Sequence, residues 1–282
     1  MTATNPPVNP VKPIKSVLRY PGAKWALSKW VVDNLPAHDV YLEPFFGSGA
    51  VFFAKPPSRT ETINDLDGNV VNLFKVMREQ TEQLCNALSL TPWARAEYLS
   101  SYVNSEAVDD VERARLFLVR CWQAFGTRTG QASGWRNRTT GKNPTEPDIW
   151  KVLPERVTVA ARRLRDAQIE SMDAIALIKR YAKPNCLIYA DPPYVESTRS
   201  KSIYAFECDD QFHRDLLDAL DNHPGPVVLS GYDNPLYNER LSHWRKITKE
   251  TVAELGHKRT EVLWIKDGTV PLELCAKRLS RF

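Results

Sequence analysis

Two short runs in this 282-residue sequence carry residue types able to do chemistry. The first is Asp191-Pro192-Pro193-Tyr194, directly after the apolar run Cys186-Leu187-Ile188-Tyr189-Ala190. An apolar run of that length reads as a central strand buried on both faces. In open α/β sheets, ligand chemistry gathers at the carboxyl ends of such strands. Turn formation accounts for each of Asp and Pro separately, but not for their combination at this place. A carboxylate and a backbone carbonyl can accept hydrogen bonds from the two hydrogens of an exocyclic amino group on a base. That pairing draws the nitrogen toward tetrahedral geometry and frees a lone pair otherwise delocalised into the ring. It also stabilises positive charge developing on nitrogen. The Pro192-Pro193 pair fixes the carbonyl direction, and Tyr194 offers a ring for stacking. Such stacking contributes roughly 1–3 kcal/mol per base, which offsets much of the few kcal/mol needed to extrude a base from a duplex.

The second run is Glu43-Pro44-Phe45-Phe46-Gly47-Ser48-Gly49, which closes the strand-like Val40–Pro44 and leads into the apolar Ala50-Val51-Phe52-Phe53, a helix start. Glycines in such a turn let the backbone approach a ligand lying over the strand ends. A lone GxG is a tight turn and little more. Here a second strand-like run, Glu61–Asp65, ends on an acid eighteen residues after Gly47. An acid at that tip can accept hydrogen bonds from ribose hydroxyls. No Walker lysine follows the glycines, which favours an adenosine-type cofactor over a nucleoside triphosphate.

Positioning these residues takes an alternating set of elements. Helical spacing is predicted for Trp25–Leu35, Asn69–Leu88, Ala94–Tyr102, Val111–Ala124, Pro154–Asp166, Ala174–Ala182 and Phe212–Leu220. Further strands are predicted at Ala167–Ser171 and Val227–Ser230, with Lys246–Leu255 and Thr260–Lys266 as a closing hairpin. Strands separated by helices predict a mainly parallel sheet covered on both faces. No internal repeat is visible.

The formal net charge is +4 with a pI near 8.7, mildly basic. Its distribution says more. No Asp or Glu occurs from Arg113 to Thr145, while Arg113, Arg115, Arg120, Arg128, Arg136, Arg138 and Lys142 all fall there. A charge run is usually a solvated face; an acid-free stretch of this length in a balanced chain points to a phosphate-facing surface. Trp135-Arg136-Asn137-Arg138 sets an aromatic among hydrogen-bonding side chains. Arg can read guanine and Asn adenine in the major groove, and phosphate contact is an equal reading for each. Arg199 and Lys201 are further candidates for phosphates, and Tyr204 for a contact to an extruded base or for surface packing. Hydrophobic residues make up 43% and charged residues 26%, which excludes a collagen-like or wholly disordered chain. Five cysteines without CxxC spacing and scattered histidines predict neither a disulfide framework nor a structural metal. Residues 1–16, with four prolines, read as a mobile or polyproline-like arm and not as a signal peptide or membrane span.

These motifs together resemble the Dam-type, alpha-group adenine-N-6 DNA methyltransferases. Four features match in that family's order: Arg19-Tyr20-Pro21-Gly22-Ala23-Lys24, Glu43–Gly49, Asn64-Asp65-Leu66-Asp67 and Asp191–Tyr194. They span about 17–75 and 168–265. Ala23 departs from the glycine often found there. The resemblance implies a Rossmann-like α/β sheet that uses S-adenosyl-L-methionine, formed by 17–88 and 165–282. It also implies an inserted, mainly helical DNA-recognition segment over 89–164. Tyr20 and Lys24 would sit at the cofactor's methionine end, Lys24 also beside the catalytic pocket. Glu43, Phe45, Gly47, Ser48 and Gly49 would line the cofactor, Asp65 would hold its ribose, and Leu66 and Met172 would flank its adenine. Asp191 and the Pro192 carbonyl, with Pro193, would hold the target amino group and Tyr194 would stack on the base. Arg128, Arg136, Asn137, Arg138, Lys142, Arg199, Lys201 and Tyr204 would contact DNA. A monomer acting on double-stranded DNA in a bacterial or phage-infected cytoplasm, without an obligatory protein partner, is expected, with GATC as the target by analogy. Methylation of cytosine N-4, of adenine in RNA or of glutamine is the nearest alternative, and Asp191 favours adenine. A silent DNA-binding protein leaves Asp191–Tyr194 without a purpose, as does a nicotinamide oxidoreductase.

Overall fold

The computed structural model describes residues 14–103, 109–126, 132–138, 144–194, 208–252 and 258–268. Most of the proline-rich arm lies outside these residues, as do Arg128, Lys142, Arg199, Lys201 and Tyr204. In chain order the elements are α1 (Ser28–Val32), β1 (Val40–Glu43), α2 (Ala50–Ala54), β2 (Thr60–Asn64), α3 (Gly68–Glu79), α4 (Thr81–Ser89), α5 (Arg95–Ser100) and α6 (Asp110–Gln123). There follow α7 (Glu146–Lys151), α8 (Leu153–Leu164), β3 (Ala167–Glu170), α9 (Ala174–Arg180), β4 (Cys186–Ala190), α10 (Asp210–Asp221), β5 (Val227–Tyr232), α11 (Pro235–Arg240), β6 (Arg245–Val252) and β7 (Lys258–Lys266). No helix among the described residues is long and apolar enough to cross a membrane.

The strands form one sheet in the order β3-β2-β1-β4-β5-β7-β6. The first five are parallel, and β7 runs antiparallel to both β5 and β6. The chain leaves β1 toward β2 and β3, then restarts on the other side at β4 and β5. Such a reversal opens a crevice between the two halves at the carboxyl ends. Register sets the tips side by side: Leu42 pairs with Thr62 and with Ile188, and Ala190 with Leu229. Every residue of β4 is buried, as its apolar run predicts. Successive residues face opposite sides. Tyr41, Leu187 and Tyr189 join a cluster with α2, α3, α6 and α8, while Leu42, Ile188 and Ala190 join one with α9, α10 and α11.

The helix expected over 69–88 is two helices. Gln80, at φ −132° and ψ 42°, leaves the helical region, and Thr81 Oγ1 donates back to the Met77 carbonyl at 2.6 Å. The break lets α3 pack on α6 and α4 pack on α8. Helices α7 and α11 are too short to show in hydrophobic periodicity; capping starts each, with a Thr145–Asp148 box for α7 and Asn234 for α11. The buried faces of α6 and α8, within the arginine-rich segment, belong to the same cluster as the sheet: Phe117, Trp122, Val157 and Leu164 pack with Val17, Phe52 and Tyr189.

A buried ionic group lies beneath this cluster. Glu61, 3% exposed, takes Lys55 Nζ at 2.6 Å and Arg163 through a two-nitrogen contact. Burial alone would raise the Glu61 pKa, but Arg163, Lys55 and the Ser58 N–H bring it below the ordinary range. Removing one member strands the others in a poorly solvated place. Glu61→Ala should therefore lower the free energy of unfolding by about 3–5 kcal/mol, read by urea denaturation with an unchanged m-value.

Candidate active site

Four parallel strands end in one crevice, and each supplies a functional group at its tip. Asp65 follows β2, Glu43 ends β1, Asp191 follows β4 and Ser230 lies near the end of β5. A cavity of about 280 Å³ opens there. Its walls include Tyr20, Lys24, Glu43, Phe45, Gly47, Ser48, Asp65, Leu66, Asp191 and Pro193. The structure thus brings together most of the residues singled out in the four motifs.

Local geometry explains the glycine turn. Gly47 has φ +48°, where only glycine is unstrained. A Cβ there would also meet Tyr20 Cδ1 at 3.3 Å. Its N–H donates to Asp65 Oδ2 at 2.8 Å, while Asp67 N donates to Asp65 Oδ1 at 2.9 Å. The acid eighteen residues on therefore closes the turn as well as facing the cavity. Burial first, then the neighbouring Asp67 charge, push Asp65 up to about 6 against those two N–H donors. Gly49 does a different job from the one expected. It sits outside the cavity wall at φ +67°, where a Cβ would fall 2.4 Å from Phe46 Cζ and 2.8 Å from Phe53 Cε2. Its role is close packing at the start of α2.

Lys24 is 6% exposed and reaches Asp191 Oδ1 at 3.0 Å and the Gly22 carbonyl at 3.1 Å. Burial pulls the ammonium down, but Asp191 and Glu261 outweigh it, and its pKa ends above the ordinary value. The charge lies 4.6 Å from the centre of the Tyr194 ring. Tyr194 is itself buried, packed edge-on against Tyr232 at 4.3 Å, with its hydroxyl donating to Glu261 Oε2 at 3.1 Å. Tyr20 also lines the cavity, and its hydroxyl donates to Asp67 at 3.1 Å.

Met172 and Pro192 are not in the cavity wall; Asp173 and Ala174 are. The backbone of Met172 is locked to Asn64, which donates to its carbonyl at 3.0 Å and accepts from its N–H at 2.9 Å. That pairing carries the start of α9 to the end of β2. On the arginine-rich segment, Arg138 Nε meets Glu146 Oε1 at 3.1 Å, and Arg19 takes the other oxygen at 3.3 Å. Arg136 Nε donates to the Ala124 carbonyl at 3.1 Å, and Asn137 is exposed. Sequence reading gave Asp67 no role within its motif and missed Asp173, Tyr189, Cys208 and Phe212 in the wall, and Ser230 and Glu261 behind it. For Ser230 a signal existed: a hydroxyl residue near the carboxyl end of a buried strand. Glu261 carried none, since it comes from the antiparallel β7.

A glycine turn, a tip acid and a carboxylate beside a buried lysine, set across the switch point of this sheet, define a Rossmann-like α/β methyltransferase. A sequence model of the D12 class N6 adenine-specific DNA methyltransferases matches residues 20–260, and this chain belongs to that family. The Type II methyltransferase M1.LlaDCHI of Lactococcus lactis subsp. cremoris is 25% identical over 243 residues, covering 80% of this chain and 84% of its own. A DNA adenine methylase of Salmonella typhi is 22% identical over 258 residues, covering 87% and 89%. The Type II methyltransferase M.MjaIII of Methanocaldococcus jannaschii is 25% identical over 289 residues, covering 89% and 97%. The protein is accordingly an adenine-specific DNA methyltransferase that draws on a methyl donor.

Glu43 makes a pH test possible. It is 2% exposed, accepts from Tyr41 at 2.7 Å, and is pushed up to about 8 by burial, with Asp191 adding to the shift against the Tyr41 bond. Its folded pKa thus exceeds its unfolded one. The associated stability is complete below the unfolded carboxylate range and is lost as pH rises toward 8. Relative to Glu43→Gln, the native chain should lose up to about 1.4 kcal/mol per pH unit between pH 5 and 8. Urea titrations of both proteins at several pH values check this; parallel curves would contradict it.

Proposed function

We propose that the methyl donor is S-adenosylmethionine, held in the cavity at the strand tips, and that Asp191 with the Pro192 carbonyl receives the N-6 amino group of an adenine extruded from double-stranded DNA. The observation that carries this reading is the charge of the cavity. Among the described residues its wall holds five carboxylic acids, Glu43, Asp65, Asp67, Asp173 and Asp191, and one cation, Lys24. Such a set repels a nucleoside triphosphate and suits a ligand with positive centres and hydroxyls. Phe45, Phe46, Val51 and Phe212 offer apolar wall for an adenine ring. Asp65 keeps lone pairs for ribose hydroxyls beyond its two backbone bonds. A cation bound beside Glu43 and Asp65 would favour their ionised forms and draw protons from them.

When bound, S-adenosylmethionine supplies a methyl made electrophilic by a positive sulfur. The chain's share is positioning and electrostatics. Asp191 accepts from the amino group, draws it out of the ring plane and stabilises the charge arriving on nitrogen. Lys24 sets its positive charge against Asp191 in a partly buried place and lies over the Tyr194 ring. Tyr194 provides the stacking face for the base. We assign DNA recognition to 89–164, as a functional segment that shares the core of the 17–88 and 165–282 catalytic part. Arg136, Asn137 and Arg138 are its described candidates, and a monomer in the bacterial or phage-infected cytoplasm suffices for one extruded base.

Asp191→Ala should lower transfer of labelled methyl to unmethylated DNA by about 10²–10³-fold or more, with donor affinity held within tenfold by calorimetry. Asp65→Ala should do the reverse, weakening donor affinity about tenfold or more with slower loss of turnover at saturation. Turnover retained in the first variant, or donor affinity retained in the second, would remove that residue from its assigned role.

The exposed Arg138 shares Glu146 with Arg19, so its charge is only partly neutralised. Arg138→Ala should reduce the slope of log affinity against log salt by about 1. An unchanged slope in fluorescence anisotropy would take Arg138 off the phosphate backbone.

A further inference from the structure

We propose that Ser230 is a positioning residue that decides which oxygen of Asp191 meets the substrate, an inference that rests on the reading of Asp191 as acceptor of the target amino group. Ser230 comes from β5, the strand beside β4, and is 1% exposed. Its hydroxyl donates to Asp191 Oδ1 at 2.7 Å. A hydroxyl has one hydrogen, and the Ala190 carbonyl at 3.4 Å is the poorer acceptor for it. With that hydrogen committed, the contact between Tyr189 and Ser230 at 3.2 Å must have the Tyr189 hydroxyl as donor. Burial, then the Asp191 charge, hold the Tyr189 pKa far above its ordinary value, so the proton stays on that hydroxyl. A directed chain results, from Tyr189 to Ser230 to Asp191 Oδ1.

Lys24 binds the same oxygen at 3.0 Å. Oδ1 therefore carries two donors, while no hydrogen bond is made to Oδ2 among the described residues. Asp191 lines the cavity, and its side chain is 17% exposed. Oδ2 is the oxygen left for the substrate. Without the two donors, Asp191 would be free to turn. Glu43 and Glu261 stand close enough that its charge raises the pKa of both, so like-charge repulsion would favour turning. Lys24 alone does not prevent this, because a three-donor ammonium is a point charge with little angular preference. Ser230 approaches from the rigid sheet and supplies the second direction. Nothing in the four sequence motifs includes it.

The test is steady-state methyl transfer to unmethylated DNA by Ser230→Ala, Ser230→Thr, Tyr189→Phe and Asp191→Ala, with donor affinity and thermal unfolding measured on each. Ser230→Ala should lower kcat ten- to a hundredfold with KM for donor and DNA within threefold, because a misdirected acceptor affects the reacting geometry and not binding. Ser230→Thr, which keeps the hydroxyl, should recover at least tenfold of that loss. Tyr189→Phe, which keeps the volume, should lower kcat three- to tenfold. A kcat within threefold of native in Ser230→Ala overturns the proposal, as does an equal fall in the Ala and Thr variants. Should Ser230→Ala fail to fold, Tyr189→Phe decides, and a kcat within twofold of native overturns it. An active Asp191→Ala would instead sink the parent reading of Asp191.

Discussion

The arrangement turns on the ion pair between Lys24 and Asp191. Two carboxylates, Asp191 and Glu261, sit around a lysine that is almost wholly buried. Removing the ammonium would leave like charges facing one another in a poorly solvated place. The pair also joins distant parts of the chain. Lys24 belongs to the N-terminal loop, Asp191 to the end of β4, and Glu261 to β7, which lies beside β5 in the sheet. Closing the loop onto the strand tips makes the cavity a pocket and not an open shelf. Tyr20 sits over Gly47, and Lys24 lies over the Tyr194 ring.

The same N-terminal segment anchors the arginine-rich region. Trp122 Nε1 donates to the Val17 carbonyl at 2.8 Å, and the Arg19 guanidinium lies 4.3 Å from the centre of the Trp122 ring. Glu146, 2% exposed, then holds Arg19 on one oxygen and Arg138 on the other. Arg138, proposed above to meet the phosphate backbone, is thus two contacts from the loop that carries Lys24. These links, together with the shared core of α6 and α8, make the arginine-rich segment and the strand-tip loop mechanically continuous. A hinge would need a surface with few contacts between the parts, and here Phe117, Trp122 and Val157 fill that boundary.

How much of this was legible in the sequence depended on whether the signal was local. The strands β1, β4 and β5 declared themselves through apolar residues, β2 through a short β-prone run ending on an acid, and the hairpin of β6 and β7 through alternation. Asp191 and Asp65 could be found because each directly follows its strand. What escaped was set by tertiary contact. Gln80 breaks a helix whose apolar spacing runs straight through it, and the bend lets both α3 and α4 pack against α6 and α8. Gly49 was expected to line the cofactor from motif position alone; the packing of Phe46 and Phe53 that also requires a glycine there is invisible until the chain folds. Met172, expected to flank the cofactor's adenine, is held by its backbone to Asn64 just outside the cavity wall, a tie that no local pattern shows. Glu261 is far from the other site residues in sequence and reaches them only once β7 inserts beside β5.

Charge placement reconciles two opposed demands. The DNA substrate is a polyanion, and the proposed donor carries a positive sulfur. A uniformly basic surface would hold the first and repel the second; an acidic one would do the reverse. The chain separates the two in depth. The acids stand at the strand tips inside the cavity, while Arg136 and Arg138 lie on the segment around α6 and α7. Lys24 is the exception, a cation inside the acidic pocket, and burial against Asp191 and Glu261 confines its effect there. An adenine entering the site must leave its own phosphates outside, which favours delivery of a single extruded base over entry of the backbone itself.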